Sequence, residues 1–223
     1  MKPNKLIAAS ALALALSGNA LALTIDFETV DLSGGYTTVP NGALGGSLAL
    51  SWDQVWVDDM TTVVNSPGVY LGYENSTGLN DHFAFAAYDS LNNFEPGFVS
   101  SFSSTTAFTF TSANLAAAYE PITLTVQGFQ TGNATAMFTQ TVALNAADTG
   151  AGPYLFNFTD INKVLFTVSG VGNPADAEFG MDNLVLTLAT PVPEPSERLM
   201  LLAGLGLIGW VTRQRMYRVE LSA

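Results

Sequence analysis

The segment Ile122-Thr-Leu-Thr-Val-Gln-Gly-Phe129 alternates apolar and polar residues, which places Ile122, Leu124 and Val126 on one face of an extended chain. Successive side chains of a β-strand point to opposite faces of the sheet, so this pattern is typical of a strand that covers a core on one side. The segment Ala107-Phe-Thr-Phe-Thr111 alternates in the same way. Both segments predict antiparallel β structure.

Similar alternation recurs through residues 23–189, with turn signals such as Asn41-Gly42 and Pro67-Gly68 between the segments. The predicted strands are residues 24–28, 51–57, 83–86, 107–111, 122–128, 137–144, 154–158, 163–168 and 181–188. About nine or ten short strands with regular turns predict one all-β domain, a β-sandwich of the jelly-roll type. Within this domain, only residues 115–118 suggest a helical turn, and other helix is expected in the two terminal segments.

The composition excludes several kinds of functional site. The 223-residue chain has no cysteine and one histidine, His82, so it lacks a thiol nucleophile, a disulfide scaffold and a site with several His ligands. No Gly-x-Ser-x-Gly or phosphate-loop motif is present. The paired carboxylates of a glycosidase are defined by distance in space, so the sequence leaves a glycan-active hydrolase or lyase open as an alternative.

The charge distribution argues against nucleic acid as a partner. Of 19 acidic residues, all but Glu194, Glu197 and Glu220 lie between Leu23 and Pro193, where Lys163 is the one basic residue. Sixteen negative charges against one positive charge give this part of the chain a net charge of −15. Nucleic acids are bound through Lys and Arg, and a field of this sign repels phosphate.

Residues 1–22 have the three parts of a secretory signal peptide. Lys2 and Lys5 precede an apolar run over residues 6–16, and Ala20-Leu-Ala22 is a small-x-small cleavage site. The run is shorter than the roughly 20 residues of a membrane span. We expect the export machinery to recognise this segment and cleavage to follow Ala22, with cleavage after Ala20 as the second choice.

The C-terminal segment contains a proline-rich linker, an apolar stretch and a basic end. Residues 190–198 include Pro193-Glu194-Pro195, which cannot continue a strand because proline lacks a backbone donor. Residues 199–211 are apolar and predict a sorting helix about 20 Å long, which would cross a core of about 30 Å only if the bilayer thins locally. Arg213 and Arg215 lie in the basic tail, residues 212–223, which we expect to stay cytoplasmic.

This tail closely resembles the PEP-CTERM sorting signal of Gram-negative bacteria. The resemblance rests on Val192-Pro-Glu-Pro-Ser196, on Gly204-Leu-Gly-Leu-Ile-Gly209 and on the arginines that follow. It implies export, anchoring at the inner membrane, processing by an exosortase-like membrane protein, and then release to the cell surface or medium. It also implies an association with extracellular polysaccharide and biofilm matrix.

The body resembles secreted jelly-roll modules of the carbohydrate-binding and galactose-binding kind. The matching segments are Ile25-Asp-Phe-Glu28, Val39-Pro-Asn-Gly42, Leu50-Ser-Trp52, residues 110–119, residues 122–129 and Phe179-Gly-Met-Asp-Asn-Leu184. Jelly rolls bring their terminal strands together, and the look-alike modules often hold a structural calcium ion there. Asp26, Glu28 and Asp182 are therefore the predicted ligands of one calcium ion. The alternative is that they are ordinary carboxylates that face solvent.

A second candidate site lies on the predicted strand over residues 51–57. Trp52, Gln54 and Trp56 are two residues apart and would share one face of that strand, where the rings could stack on sugars. The alternative is that both tryptophans belong to the core, since Trp is mostly buried. These features predict an exported, non-enzymatic envelope or matrix protein that binds polysaccharide; the alternatives are a secreted glycan-active enzyme and a purely structural matrix protein.

Overall fold

The computed structural model describes residues 22–65, 70–86, 99–147, 152–173, 176–188 and 201–209. The ten strands are β1 (Ala22–Ile25), β2 (Thr37–Thr38), β3 (Ser51–Asp53), β4 (Trp56–Asp59), β5 (His82–Ala86), β6 (Val99–Ala117), β7 (Ile122–Phe129), β8 (Phe138–Leu144), β9 (Tyr154–Ser169) and β10 (Phe179–Leu188). The described part of residues 22–188 also contains a 3₁₀ turn at Gly46–Leu48 and two short helices, α1 (Met60–Val64) and α2 (Leu71–Asn75).

The strands form an antiparallel β-sandwich, as the alternation predicts. The hydrogen-bonded order is β2-β4-β5-β10-β6-β9-β7-β8, with β1 beside β10 and β3 beside β6. The strand β6 has 19 residues and β9 has 16, longer than the usual 3–10. The pairing of β6 with β9 shifts register between Ser103 and Phe108, between Phe108 and Phe110, and between Phe110 and Ser112. Strands that bend at such irregularities can continue from one layer of a sandwich into the other.

The interior between the layers is rich in phenylalanine. Phe110 stacks on Phe156 with ring centroids 4.7 Å apart, and Phe102 lies 5.8 Å from Phe108. All the apolar positions of β7 that the pattern assigns to one face are buried. Packed aromatic pairs of this kind add to the free energy that their burial contributes.

A second apolar cluster covers the other face of β4 and β5. On β5, Ala84 and Ala86 belong to the main core, whereas Phe83 and Phe85 belong to this second cluster. The cluster also contains Val63 of α1 and Tyr73 of α2. The two helices pack on the face of β5 that points away from the main core, so β5 is buried on both faces.

Three predictions about local structure are wrong. Helix is not limited to the terminal segments, because α1 and α2 lie within the body. Residues 115–118 form no helical turn, since Leu115–Ala117 is the end of β6 and pairs with β10. The segments 154–158 and 163–168, predicted as two strands, belong to one strand, β9. Between them, Asp160 has a φ of 54°, which is an irregular backbone conformation within that strand. The alanine-rich residues 115–117 are extended because they pair with β10. The helix propensity of alanine takes no account of such a partner strand.

The C-terminal segment forms a separate unit, residues 190–223. Residues 201–209 are helical and exposed, which agrees with the helix predicted there. None of the helices in the described part of the chain has both the length and the apolar composition that a membrane crossing needs. The linker with Pro193, Glu194 and Pro195, the arginines Arg213 and Arg215, and the cleavage residue Ala20 lie outside the described residues.

Candidate functional site

A groove of about 410 Å³ lies where β6, β7 and β9 meet the loop that follows β7. Strand register places Phe129 of β7 opposite Lys163 of β9, and Lys163 opposite Ser103 of β6. Phe129 and Leu165 supply half-buried apolar surface, and the loop residues 130–134 form the remaining wall. The groove therefore combines an apolar patch with a polar rim.

Hydrogen bonds from β9 hold the loop of the groove in place. The Gln130 side chain donates to Asp160 Oδ2 at 2.7 Å, and the Thr131 backbone N–H donates to Asn162 Oδ1 at 3.2 Å. Asn162 also donates to the carbonyl of Ser104 at 3.3 Å, which ties β9 to β6. Gly132 adopts φ 81°, a left-handed conformation that glycine accepts without strain. Loop and strands are thus joined through side-chain amides.

Lys163 is the one basic side chain within the described residues, and it lines this groove. Around it lie amide and hydroxyl groups from Gln130, Asn133, Thr131 and Ser103. Amides and hydroxyls both donate and accept hydrogen bonds, and an ammonium donates three. This set suits a neutral ligand with many hydroxyl groups. Sequence reasoning missed this groove, because its residues come from three strands and a loop.

The predicted face of Trp52, Gln54 and Trp56 does not exist as one surface. The predicted strand is interrupted at Gln54, which has a φ of 55°. Trp52 therefore lies on β3 and Trp56 on β4. Each tryptophan is 8% exposed. Trp52 packs on Phe27 and Phe102 in the main core, whereas Trp56 stacks on Phe85 in the second cluster.

The prediction of a shared strand face is therefore wrong, because period-two spacing holds only while the chain stays extended. The burial of both rings fits the alternative that they are core residues. Sugar binding at these two tryptophans is not tested by this geometry and stays a prediction.

Asp26, Glu28 and Asp182 lie where the terminal strands meet. The pairing of β1 with β10 confirms that these strands are neighbours. Asp26 and Glu28 are exposed, while Phe27 between them is buried at φ 59°. Asp182 is fully buried, so the alternative that all three carboxylates face solvent is wrong for this residue.

Two of these carboxylates hold the segment that leads into β5. Asp182 Oδ2 accepts from the Asn80 backbone N–H at 2.8 Å, and Glu28 Oε1 accepts from that of His82 at 3.2 Å. Burial raises the pKa of Asp182 to about 7, and the negative charges of Glu28 and Asp26 raise it as well. The charges of Glu28 and Asp26 therefore act on the buried carboxyl of Asp182.

Among the residues that the structure describes, no group of three His, Cys, Asp or Glu side chains is arranged to hold a metal ion. Calcium also accepts backbone carbonyl oxygens, which such a grouping leaves out. Calcium binding at Asp26, Glu28 and Asp182 stays a prediction.

A buried carboxylate that the sequence did not single out lies just before β10. Glu178 is 5% exposed, and its Oε1 accepts from Tyr73 Oη at 3.0 Å. Tyr119 Oη lies 3.5 Å from Oε2. Burial raises the pKa of Glu178 to about 7, the two tyrosine hydrogen bonds oppose this, and the charge of Asp58 adds to it. In the sequence, Glu178 is one of many acids beside a turn, and no spacing distinguishes it.

Residues 191–215 match the PEP-CTERM protein-sorting motif, which confirms the resemblance of the tail. No curated protein matches the sequence. The similar solved structures include a DUF4465 family protein from Bacteroides caccae, 10% identical over 76% of this chain and 100% of its own, with a TM-score of 0.49.

They also include the K3 cleaved adhesin domain of Lys-gingipain from Porphyromonas gingivalis, 15% identical over 76% of this chain and 99% of its own, with a TM-score of 0.36. A third is TmCBM61 in complex with β-1,4-galactotriose, 12% identical over 74% of this chain and 94% of its own, with a TM-score of 0.32. A cyclase and a bacteriophage tailspike domain also match, with TM-scores of 0.38 and 0.30, over 98% and 20% of their own chains. Likenesses this distant carry no argument about ligand or activity.

Proposed function

We propose that this chain is an exported β-sandwich protein of the cell envelope or extracellular matrix that binds a polysaccharide without cleaving it. The observation that carries export is the PEP-CTERM match at residues 191–215, which implies a C-terminal anchor that an exosortase removes. The signal-peptide pattern of residues 1–22 supports the same route.

The groove beside Lys163 is the proposed polysaccharide site. Its volume of about 410 Å³ lies within the 300–1,000 Å³ of typical ligand pockets. Phe129 offers a ring on which the apolar face of a sugar can rest, and Asn133 and Thr131 are exposed to meet its hydroxyl groups. Because Gln130 and Asn162 are already hydrogen-bonded to the scaffold, the groove loses little freedom on binding.

The lining of this groove supports binding without turnover. Glycosidases use a pair of carboxylates on either side of the bond that breaks. No Asp or Glu lines the groove within the described residues, and the nearby Asp160 is hydrogen-bonded to Gln130. The groove therefore offers a sugar hydrogen bonds but no acid–base pair.

The test is a polysaccharide array probed with the purified full-length protein. We expect retention of at least one polysaccharide, and a loss of about tenfold in affinity for Lys163→Gln because a hydrogen bond from a charged donor contributes about 1.5–3 kcal/mol. Thr131→Ala, in the groove, should bind more weakly than the wild type. Thr141→Ala removes the same group from an exposed site on β8 and should not.

Three results would count against this proposal. Retention of no polysaccharide favours the purely structural alternative. Unchanged binding by both groove variants places the ligand elsewhere. Release of new reducing ends from a bound polysaccharide favours the secreted hydrolase or lyase.

We also propose that calcium binds where β1 meets β10 and ties these terminal strands together. The support is the burial of Asp182 beside the charges of Asp26 and Glu28, which together disfavour an ionised Asp182. A divalent cation would offset that repulsion and would be held by oxygen atoms, the ligands that calcium prefers.

A further inference from the structure

A second pocket, of about 50 Å³, lies on the face of the sheet that α1 and α2 cover. Five aromatic rings line it: Tyr36, Tyr70, Tyr73, Phe83 and Phe85. Two carboxylates, Asp58 and Glu178, line it as well. We call this the tyrosine pocket, and it is separate from the polysaccharide groove in both residues and chemistry.

The rings are held in place by contacts with one another. Tyr70 and Tyr73 stack with centroids 6.1 Å apart and planes 5° apart, and Phe83 meets Tyr73 edge-on at 4.8 Å. At the mouth, Tyr36 is 59% exposed and lies 6.1 Å from Phe85. Aromatic faces carry negative partial charge, so a set of fixed rings attracts a cation without needing to reorganise.

Glu178 forms the buried end of the tyrosine pocket. Burial raises the pKa of Tyr73 well above its usual range, so this phenol keeps its proton and donates to Glu178. A carboxylate has about four lone-pair positions, and two tyrosine contacts leave some of them available. Asp58, half-buried in the wall, adds a second negative charge.

The size of the pocket limits what it can hold. One buried water occupies about 10–15 Å³ of cavity volume, so a cavity of about 50 Å³ holds roughly three to five water-sized groups. That is enough for an ammonium group with one or two carbons and too little for a sugar ring. A bare metal ion prefers six or more oxygen ligands, which rings do not supply.

We propose that the tyrosine pocket binds an organic ammonium group, with Glu178 as its counter-ion, Asp58 at its side and the aromatic rings against its carbons. The net charge of −15 across the body would raise the local concentration of such cations. The ammonium belongs either to a free small amine or to an amino sugar whose ring stays outside the pocket.

The test is calorimetric titration of the full-length protein with ethylammonium and, separately, with a glucosamine oligomer. We expect ethylammonium to bind and to release protons near pH 7. The groups that face Glu178 are Asp58, Tyr73 and Tyr119, and burial raises the pKa of Glu178 itself to about 7. Affinity should therefore rise about tenfold between about pH 6 and pH 8, in step with the ionised fraction of Glu178.

Variants distinguish ligand binding by Glu178 from a purely structural role of this residue. Glu178→Gln should lose at least tenfold in affinity at about pH 8, together with the proton release. Tyr36→Leu changes an exposed ring at the mouth and should weaken binding about two- to fivefold without unfolding the protein. Asp53→Asn changes an exposed carboxyl on β3, outside the pocket, and should bind ethylammonium like the wild type.

Failure to bind ethylammonium at millimolar concentration and about pH 8 would overturn the proposal. Equal binding by the wild type, Glu178→Gln and Tyr36→Leu would also overturn it. If the glucosamine oligomer binds and Glu178→Gln abolishes that binding, an amino sugar is the source of the ammonium; if only ethylammonium binds, the source is a free amine.

Discussion

The buried carboxyl of Glu178 gives a prediction about stability that does not depend on any ligand. In the unfolded chain a glutamate has a pKa near 4.5, whereas in the folded protein burial raises the pKa of Glu178 to about 7. Between these values the folded state binds more protons than the unfolded state. Stability from this group is therefore complete below about pH 4.5 and is lost as the pH rises through about 7.

The size of the effect follows from the shift. A difference of about 2.5 pKa units corresponds to about 3 kcal/mol, of which about 2–3 kcal/mol is lost between about pH 5 and pH 8. The whole free energy of unfolding of a domain is about 5–15 kcal/mol, so the loss is large enough to measure. Asp182, whose pKa is also raised to about 7, adds a loss in the same direction.

Glu178→Gln removes the titrating group and keeps an acceptor for the Tyr73 hydroxyl. Urea unfolding of the full-length wild type and variant at about pH 5 and pH 8 should show the variant gaining about 2–3 kcal/mol on the wild type as the pH rises. The remaining pH dependence of the variant should come from Asp182. Glu74→Gln changes an exposed carboxyl on α2 and serves as the control.

A variant whose stability falls with pH as steeply as that of the wild type would refute this reasoning. Glu178 would then be ionised in the folded state or accessible to water despite its burial.

Three other predictions concern the rest of the chain. Millimolar calcium should raise the melting temperature of the wild type by mass action, whereas Asp182→Ala should show no rise; a wild-type melting temperature that chelation leaves unchanged speaks against a calcium site. Intact mass spectrometry of surface or released protein should find both ends removed, with the C-terminus near Glu194, and an extracellular form that retains Arg213 would contradict exosortase processing. Gly72→Ala should destabilise the protein by about 1–3 kcal/mol or more, because the new Cβ would clash with the Ala117 carbonyl oxygen; the matched change Gly34→Ala meets no atom within 4 Å and should be neutral in thermal unfolding.

The agreement between sequence and structure is best where a segment repeats one pattern over several residues. The alternation of β7 predicted both its strand and its buried face, because every second residue meets the same core. The pairing of β1 with β10 followed from the resemblance to jelly rolls. The prediction of one strand over residues 51–57 is wrong because Gln54 adopts a left-handed conformation and ends the alternation. No glycine or proline beside Gln54 indicates this change of direction.

The candidate sites were much less accessible to sequence reasoning than the fold. The Lys163 groove joins residues about 60 positions apart, since Ser103 and Lys163 meet only through the β6–β9 register. Glu178 is 105 residues from its partner Tyr73. Residues this far apart form no short motif, so the sequence alone could not predict that they are in contact.

The sequence by itself determined the all-β architecture and the sorting signal of the tail, since both depend on local patterns of apolar residues, prolines and charge. Only the tertiary structure decided which carboxylates are buried and which side chains meet. Asp182 lies on β10 and Asp26 directly follows β1, the strand that pairs with β10, yet Asp182 is buried and Asp26 is exposed. The physical reason is that burial, and with it a raised pKa, depends on atoms brought in from distant parts of the chain.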